Sequence, residues 1–305
     1  LLCKELDGRL TDLLVIANTA DGAGGYLFSG YKSTTQPFSQ TPTGATYSGD
    51  QGQRELQVGS ARYLPTSDAG STVFENNMTG NGKFKATPDA GNFARGGAGI
   101  ISSGTVTDPS ALTGHKYEIN FSVTGTGDAA VTTYTISDTT LGQTIPNPAV
   151  PVPYKAGEAI NFDGQQVVLT GKPANQDKFA IEPSAKESIF STITNLIGVL
   201  RTTTTGDAGQ ARLANGLSAA SSILSTAYDN VLSVRADVGA RMKELDYLGS
   251  AGDDLDLQYS STLSDLQDLD MVKTVSLFTQ QQITLQAAQK SFTQISGLSL
   301  FNYIS

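Results

Sequence analysis

The chain contains 305 residues, which is enough for two or three domains with hydrophobic cores. Its formal net charge is −9, and this acidity argues against a nucleic-acid partner, because such a partner requires a basic surface. The one cysteine, Cys3, excludes an intrachain disulfide, and no apolar run reaches the roughly 20 residues that cross a membrane.

The first residues predict a helix over residues 1–19, because their apolar positions recur at the 3-4-3-4 spacing of a coiled coil or helix bundle. Asp21 and the glycines up to Gly25 predict where this helix stops. Leu1 resembles a residue from a helix interior, and the charges that follow it are unlike a signal peptide, so we expect further residues to precede it. The predicted seam consists of Cys3, Leu6, Leu10, Leu13 and Ala17.

Short segments between Gly, Pro and Asp predict β structure over residues 26–75. Tyr26–Phe28 and Glu55–Val58 are the strand candidates in this region. Residues 76–110 are rich in Gly and Asn, which predicts a loop-rich approach to an inserted domain.

From residue 115 the pattern changes to the period of two that is typical of strands. Tyr117–Val123 alternates apolar with polar residues, Thr132–Ile136 follows, and Lys178–Ile181 closes the set before Pro183. Asp163-Gly164 between two apolar runs predicts a tight hairpin. We therefore expect an all-β module of about a hundred residues.

Residues after 184 are predicted to be helical. One apolar stripe recurs at strict sevens, and helical spacing of this kind favours packing inside the chain. Gly249 to Gly252 predict a break, and a second helix is expected to run without interruption over residues 253–296, about 65 Å at 1.5 Å per residue. The predicted internal core consists of Leu217, Leu224, Val231, Val238 and Leu245.

The tail helix has no obvious partner within the sequence, because the N-terminal helix is only about 28 Å long by the same rise. We expect preceding residues, a neighbouring subunit or both to cover its apolar face. The predicted assembly interface comprises Phe278, Leu285, Ala288, Phe292, Ile295, Leu298, Leu300, Phe301 and Ile304.

These elements together predict an α+β fold: long terminal helices forming a coiled-coil-like bundle, a short β region and an inserted all-β outer domain. The expected boundaries divide a core domain around the insert. They are 1–75 for the N-terminal helix and short β segments, 76–184 for the insert, 185–274 for the helical return, and 275–305 for a polymerisation helix.

The sequence contains no pattern that predicts catalysis, a cofactor or a metal. Aspartates between Asp253 and Asp270 lack the spacing and glycine of a calcium loop and are interpreted as a solvated helix face. Gly96–Gly99 lacks the Lys-Ser/Thr of a phosphate-binding loop, and His115, the one histidine, has no nucleophile motif nearby. Cys3 is interpreted as a seam residue rather than a reactive thiol.

Several strings resemble the hook-associated subunits of the flagellin-like family. Residues 25–32 (GYLFSGYK), 47–54 (YSGDQGQR) and 67–74 (SDAGSTVF) resemble the segments that follow the family's first helix. Residues 285–288 (LQAA) and 295–301 (ISGLSLF) resemble its C-terminal helix. The matches cover about residues 15–75 and 185–305, and the insert matches nothing specific.

The resemblance implies a structural subunit at the junction of hook and filament, exported outside the cell through the flagellar type III channel. It implies a ring of copies of the chain, hook-associated protein 1, flagellin and an export chaperone as partners, with no nucleic acid or membrane. The alternatives are a filament flagellin and a flagellin-like surface adhesin or glycan-binding protein. An enzyme housed in the insert is the interpretation that the sequence favours least.

Overall fold

The structure is a computed structural model that describes residues 2–59, 61–202, 205–267 and 270–297. It divides into two compact units, Leu1–Met242 and Lys243–Ser305. Helices and sheets are both present and a long helix lies near the C-terminus, as the predicted α+β class requires.

The first part of the chain forms one long helix and four short strands. These elements are α1 (Leu2–Ala17), β1 (Phe38–Thr41), β2 (Gly44–Tyr47), β3 (Glu55–Gly59), β4 (Arg62–Pro65) and the short helix α2 (Gly70–Phe74). Strands β1 and β2 pair with each other, as do β3 and β4, so this part contains two separate two-stranded sheets. The strand predicted at Glu55–Val58 is confirmed as β3.

The middle of the chain is a β-rich region of two larger sheets. Its elements are β5 (Asn77–Met78), β6 (Phe84–Pro88), α3 (Gly91–Ala94), β7 (Ile100–Ile101), β8 (Thr105–Val106), β9 (Tyr117–Thr124), β10 (Val131–Asp138), β11 (Gln143–Ile145), β12 (Val152–Pro153), β13 (Ala159–Phe162), β14 (Gln165–Thr170), β15 (Lys178–Pro183) and β16 (Lys186–Glu187). Single 3-10 turns lie at Pro109–Ala111 and Gly127–Ala129.

The two larger sheets share one hydrophobic core. The first has the strand order β11-β10-β9-β15-β6, with β12 also paired to β10, and the second has the order β13-β14-β7, with β8 also paired to β14. We call residues 84–183 the sandwich. Its buried side chains come from both sheets and include Phe84, Ile101, Ile119, Phe121, Phe162, Val167, Leu169, Phe179 and Ile181.

The period-two pattern predicted these strands well. Strand β9 alternates buried and less buried residues from Tyr117 to Phe121. The β13–β14 turn places Asp163 at φ 41° and Gly164 at φ 73°, the left-handed region that a two-residue hairpin turn requires. The predicted hairpin and the strands around Thr132–Ile136 and Lys178–Ile181 are confirmed.

One strand prediction in the β regions is wrong: Tyr26–Phe28 forms no strand, since Tyr26 makes only an isolated bridge to Ala20. Residues 76–110 are loop-rich as predicted, but they also contain four short strands, of which β6 pairs with β15 from Phe84 to Pro88. Long-range pairing and burial decide a strand more than local composition does.

In the part of the chain after residue 187 that the structure describes, three helices follow the sheets: α4 (Ile189–Arg201), α5 (Gly206–Gln267) and α6 (Met271–Gly297). The break predicted at Gly249 to Gly252 is wrong, because α5 continues through both glycines. A helical Gly costs only about 1 kcal/mol, which favourable neighbours can offset. The prediction of one uninterrupted helix over 253–296 is also wrong, because α5 ends at Gln267 and α6 begins at Met271. The Asp270 carboxylate caps the start of α6 by accepting a hydrogen bond from Lys273 N at 3.0 Å.

Helices α1 and α4 enclose a second hydrophobic cluster with the first strands. Phe38, Phe74 and Phe190 pack with ring centroids 5.0 to 5.8 Å apart. Helix α1 contributes Leu10, Leu14 and Ala17 to this cluster, and α4 contributes Ile193 and Ile197.

Candidate assembly surface

Helix α6 exposes the apolar residues that the sequence places at its interface. Phe278 is 67% exposed, Leu285 60%, Phe292 72% and Ile295 70%. Ala288, on the same side, is also exposed. The remaining predicted interface residues, Leu298, Leu300, Phe301 and Ile304, lie outside the described residues.

These residues form a stripe because of their spacing. At about 100° per residue, Phe278, Leu285 and Phe292 fall within about 40° of each other, and Ala288 and Ile295 lie beside them. We call these five residues the α6 stripe. Soluble monomers rarely expose large continuous apolar patches, so the stripe has the character of an association surface.

The polar residues of α6 are compatible with packing against another helix. Lys273 and Lys290 are its only charged residues, and the rest are apolar, Gln, Ser, Thr or Gly. Thr279, Thr284 and Thr293 donate their hydroxyls to carbonyls four residues earlier, at 2.7, 2.8 and 3.0 Å. These hydroxyls already have partners, so covering them would not leave unpaired donors.

Most residues of the internal core predicted on α5 are exposed in the structure. Leu217 and Val231 are each 42% exposed, Val238 39% and Leu245 47%, while Leu224 is partly buried. The buried residues of α5, most of them small, are Gly209, Ala211, Asn215, Ala220, Ile223 and Ala227. We call Leu217, Val231 and Val238 the α5 stripe, since their large side chains remain accessible.

The predicted seam of α1 lies on the side that faces the second cluster. Leu10 and Ala17 are buried, whereas Cys3, Leu6 and Leu13 are partly exposed. Leu14, which is absent from the predicted seam, is 8% exposed and joins the cluster.

The three strings that carry the resemblance in the first part of the chain meet in one polar network, in which Ser67 Oγ of the third string accepts a hydrogen bond from Arg54 N at 3.2 Å. Arg54 donates from Nη1 to Asp21 Oδ2 at 2.9 Å and from Nη2 to the carbonyl of Tyr26 at 3.0 Å. Asp50 Oδ1 accepts from Tyr31 N at 2.8 Å, and the Tyr47 hydroxyl donates to the Asp50 carbonyl at 2.7 Å. These contacts give the strings a structural role in holding the exit of α1.

Arg241 connects α5 to the same region. Its Nη1 lies 3.0 Å from Asp68 Oδ2 and its Nη2 lies 2.9 Å from Asp68 Oδ1, a bidentate pair that is mostly shielded from solvent. Hydrogen bonding to Asp68 raises the pKa of Arg241.

Sequence reasoning missed a polar stripe on α5. Asn215 and Asn230 hydrogen-bond the backbone of other segments, Thr226 donates to Met78 O at 2.7 Å, and Arg241 holds Asp68. Their spacing of 11, 4 and 11 residues places all four within about 80° of arc. That spacing was the signal that could have revealed the stripe.

The other residues considered for chemistry have structural partners. His115 Nδ1 lies 2.7 Å from Asp138 Oδ2. The other carboxylate oxygen, Asp138 Oδ1, accepts hydrogen bonds from the backbone N–H groups of Thr140 and Leu141. Gly97 contacts the buried carboxylate of Asp177, so no open phosphate cradle exists there. Within the described residues, no group of three or more His, Cys, Asp or Glu could hold a metal, and no helix has the length and apolarity to cross a membrane.

No family profile matches the chain, but individual proteins do. Flagellar hook-associated protein 3 of Escherichia coli K12 is 25% identical over 301 residues, and so is that of Salmonella typhimurium LT2. Each alignment covers 98% of this chain and 64% of the relative, so the chain spans just under two thirds of these relatives' length.

Crystal structures extend the similarity to the fold. Flagellar hook-associated protein 3 of Legionella pneumophila is 32% identical with a TM-score of 0.80, and the match covers 88% of this chain and 81% of that one. FlgL of Xanthomonas campestris is 27% identical with a TM-score of 0.76, covering 86% and 81%. The names of these relatives favour the hook-associated interpretation over a filament flagellin, and none of them is the name of an enzyme.

Proposed function

Because the chain belongs to the flagellar hook-associated protein 3 family, we propose that it is a structural subunit at the junction of the flagellar hook and filament. The observation that carries this proposal is the α6 stripe, whose Phe278, Leu285 and Phe292 are all at least 60% exposed. A junction subunit needs such a surface, because it must bind unlike neighbours on its two sides through buried apolar contacts.

The α5 stripe supports the same role. Leu217, Val231 and Val238 expose large apolar groups on a helix that already buries other residues, such as Ala220 and Ile223, within its unit. A partner helix could therefore pack on the α5 stripe without disturbing that internal contact.

The proposed organisation follows from these surfaces. Residues 275–305 act as the polymerisation helix, residues 1–75 and 185–274 form the core domain, and residues 76–184 form the outer domain. The proposed partners are copies of the chain in a ring, hook-associated protein 1 and flagellin, with an export chaperone before assembly. The proposed location is the extracellular flagellum, reached through the flagellar type III system.

Electron microscopy of a strain that lacks this gene tests the proposal. We expect hooks without filaments and flagellin shed into the medium, because filament growth would have no base. The full chain should restore filaments. A chain without residues 275–305 should not, although it should remain monomeric and keep the near-ultraviolet dichroism of the full chain.

The outcomes separate the alternatives. Normal filaments in the deletion strain, or normal incorporation of the truncated chain, would refute the junction role. Normal filaments that have lost binding to glycans would favour the adhesin alternative. A missing filament without shed flagellin would indicate that the chain is itself the filament subunit.

A further inference from the structure

Asn215 joins the middle of α5 to the sandwich. Its Oδ1 accepts from Ile101 N and its Nδ2 donates to the Gly99 carbonyl, each at 2.9 Å. Asn215 is 8% exposed and Ile101 is 3% exposed, so both bonds are largely shielded from bulk solvent. One amide therefore satisfies two buried backbone groups of another part of the fold, and breaking it would leave both without partners.

The chain enters and leaves the sandwich through a narrow connection. Strands β5 and β16 pair over only two residues, Asn77 with Glu187 and Met78 with Lys186. Beyond them, Thr79 N donates to the Ala185 carbonyl at 2.9 Å, and Ala185 N donates to Thr79 Oγ1 at 3.0 Å. We call residues 77–79 and 184–187 the neck.

The contact between the sandwich and the helices is loosely packed next to Asn215. A cavity of about 220 Å³ is lined by Ile101 of the sandwich and by Leu196 and Ile223 of the helices. An adjoining cleft of about 330 Å³ shares Pro88 and Asn215 with this cavity and is also lined by Ala211. Empty space of this size removes dispersion contacts that would otherwise hold the two parts together.

We infer that the sandwich is a hinged lobe that turns on the neck and is latched to α5 by the Asn215 amide. Because the two spaces beside the latch already reduce apolar contact with the helices, its two hydrogen bonds carry much of the cost of opening it. A second contact, the Arg212 guanidinium 5.1 Å from the ring centre of Phe93, is exposed and so adds little. The lobe would then take more than one orientation relative to the helices, as neighbours of different shape require.

The same helix offers a matched control. Asn230 also belongs to the polar stripe of α5, and its Nδ2 donates to the backbone carbonyls of Thr72 and Val73, each at 3.0 Å. Its partners precede the neck and do not belong to the sandwich. Asn230→Ala therefore removes bonds of the same kind while leaving the proposed latch intact.

The test uses the full chain with Cys3→Ser and nitroxide labels at Ala130→Cys on the lobe and Asp229→Cys on α5, both exposed positions. Pulsed electron resonance measures the label-to-label distances, and hydrogen exchange measures protection of the Ile101 amide. We expect Asn215→Ala to speed Ile101 exchange at least about tenfold and to broaden or split the distance distribution. Asn230→Ala should leave both unchanged.

A reversible variant keeps the test decisive if Asn215→Ala unfolds. Asn215→Asp keeps an oxygen that accepts from Ile101 N. When the introduced acid is ionised, however, its carboxylate has no proton to donate and repels the Gly99 carbonyl oxygen. We expect a broad distance distribution at about pH 8 and a narrow one at about pH 4, because burial beside the Gly99 carbonyl raises the pKa of the introduced acid and the protonated form can donate again. An unchanged narrow distribution in Asn215→Ala, or in Asn215→Asp at the higher pH, would overturn the latch.

Discussion

Asp21 shows how much one side chain can organise. Its Oδ1 accepts from the backbone N–H groups of Ala23 and Gly25, each at 2.9 Å, and its Oδ2 accepts from Arg54. The hydrogen bond from Arg54, together with the two backbone bonds, lowers the pKa of Asp21 from 3.8 to about 2. The sequence predicted Asp21 only as part of a helix stop, because Arg54 is 33 residues away.

The depressed pKa predicts how the stability of the fold depends on acid. A carboxyl with a lower pKa in the folded state stabilises the fold above its unfolded pKa, and loses that contribution as the pH falls through its folded pKa. We therefore expect Asp21→Asn to lower the free energy of unfolding at about pH 7, with the deficit shrinking between about pH 4 and about pH 2.

Urea unfolding of both proteins across that range measures the difference. Asp12→Asn is the control, since Asp12 is 69% exposed in a long pair with Arg9, 3.8 Å away. It should change the free energy of unfolding far less at every pH. A deficit of Asp21→Asn that stays constant down to about pH 2 would contradict the argument.

At the scale of elements, the glycines of α5 differ in whether the surrounding structure has room for a side chain. A Cβ added at Gly249 or Gly252 would meet no atom within 4 Å, whereas one at Gly216 would lie 2.6 Å from Val199 Cγ1. Gly249→Ala and Gly252→Ala should each stabilise the local helix by about 0.5–1 kcal/mol, which slows local hydrogen exchange about two- to fivefold. Gly216→Ala should instead lower the free energy of unfolding by about 1–3 kcal/mol, because it forces α4 and α5 apart.

Hydrogen exchange across residues 245–256 and urea unfolding provide the two measurements. Faster exchange in Gly249→Ala would mean that this glycine marks a functional bend and not merely a weak helical residue. An unchanged free energy of unfolding in Gly216→Ala would mean that the Val199 side chain moves aside at little cost.

How well an element could be predicted depended on which interaction decides it. The β13–β14 hairpin was predictable because Asp163 and Gly164 satisfy the turn locally. The buried residues of α5 were not, because apolar spacing marked large residues such as Leu217, whereas most of the residues buried in the structure are small ones such as Ala220 and Ala227. The spacing of the polar stripe on α5 is visible in the sequence, but the distant partner of each residue, such as Gly99 for Asn215, is not.

At the scale of the whole molecule, sequence reasoning identified the exposed tail better than the internal packing. An apolar stripe on a helix with few charges is visible in sequence whether or not a partner is present, and α6 shows it at Phe278, Leu285 and Phe292. The neck and the latch were invisible, since both depend on residues about a hundred positions apart that meet only in the folded chain.

The α6 stripe gives the last prediction. The triple variant Phe278→Ser, Leu285→Ser and Phe292→Ser should remain a folded monomer, because these side chains are already exposed in the single chain. Burying each on assembly is worth about 1.5–3 kcal/mol, so their loss should weaken association by about three orders of magnitude or more. Flagella of a complemented deletion strain should then lack filaments. The control Thr279→Ser, Gln286→Ser and Thr293→Ser changes the flank of the same helix and should restore them. Filaments of normal length and number with the stripe variant would show that α6 does not join the subunits through these residues.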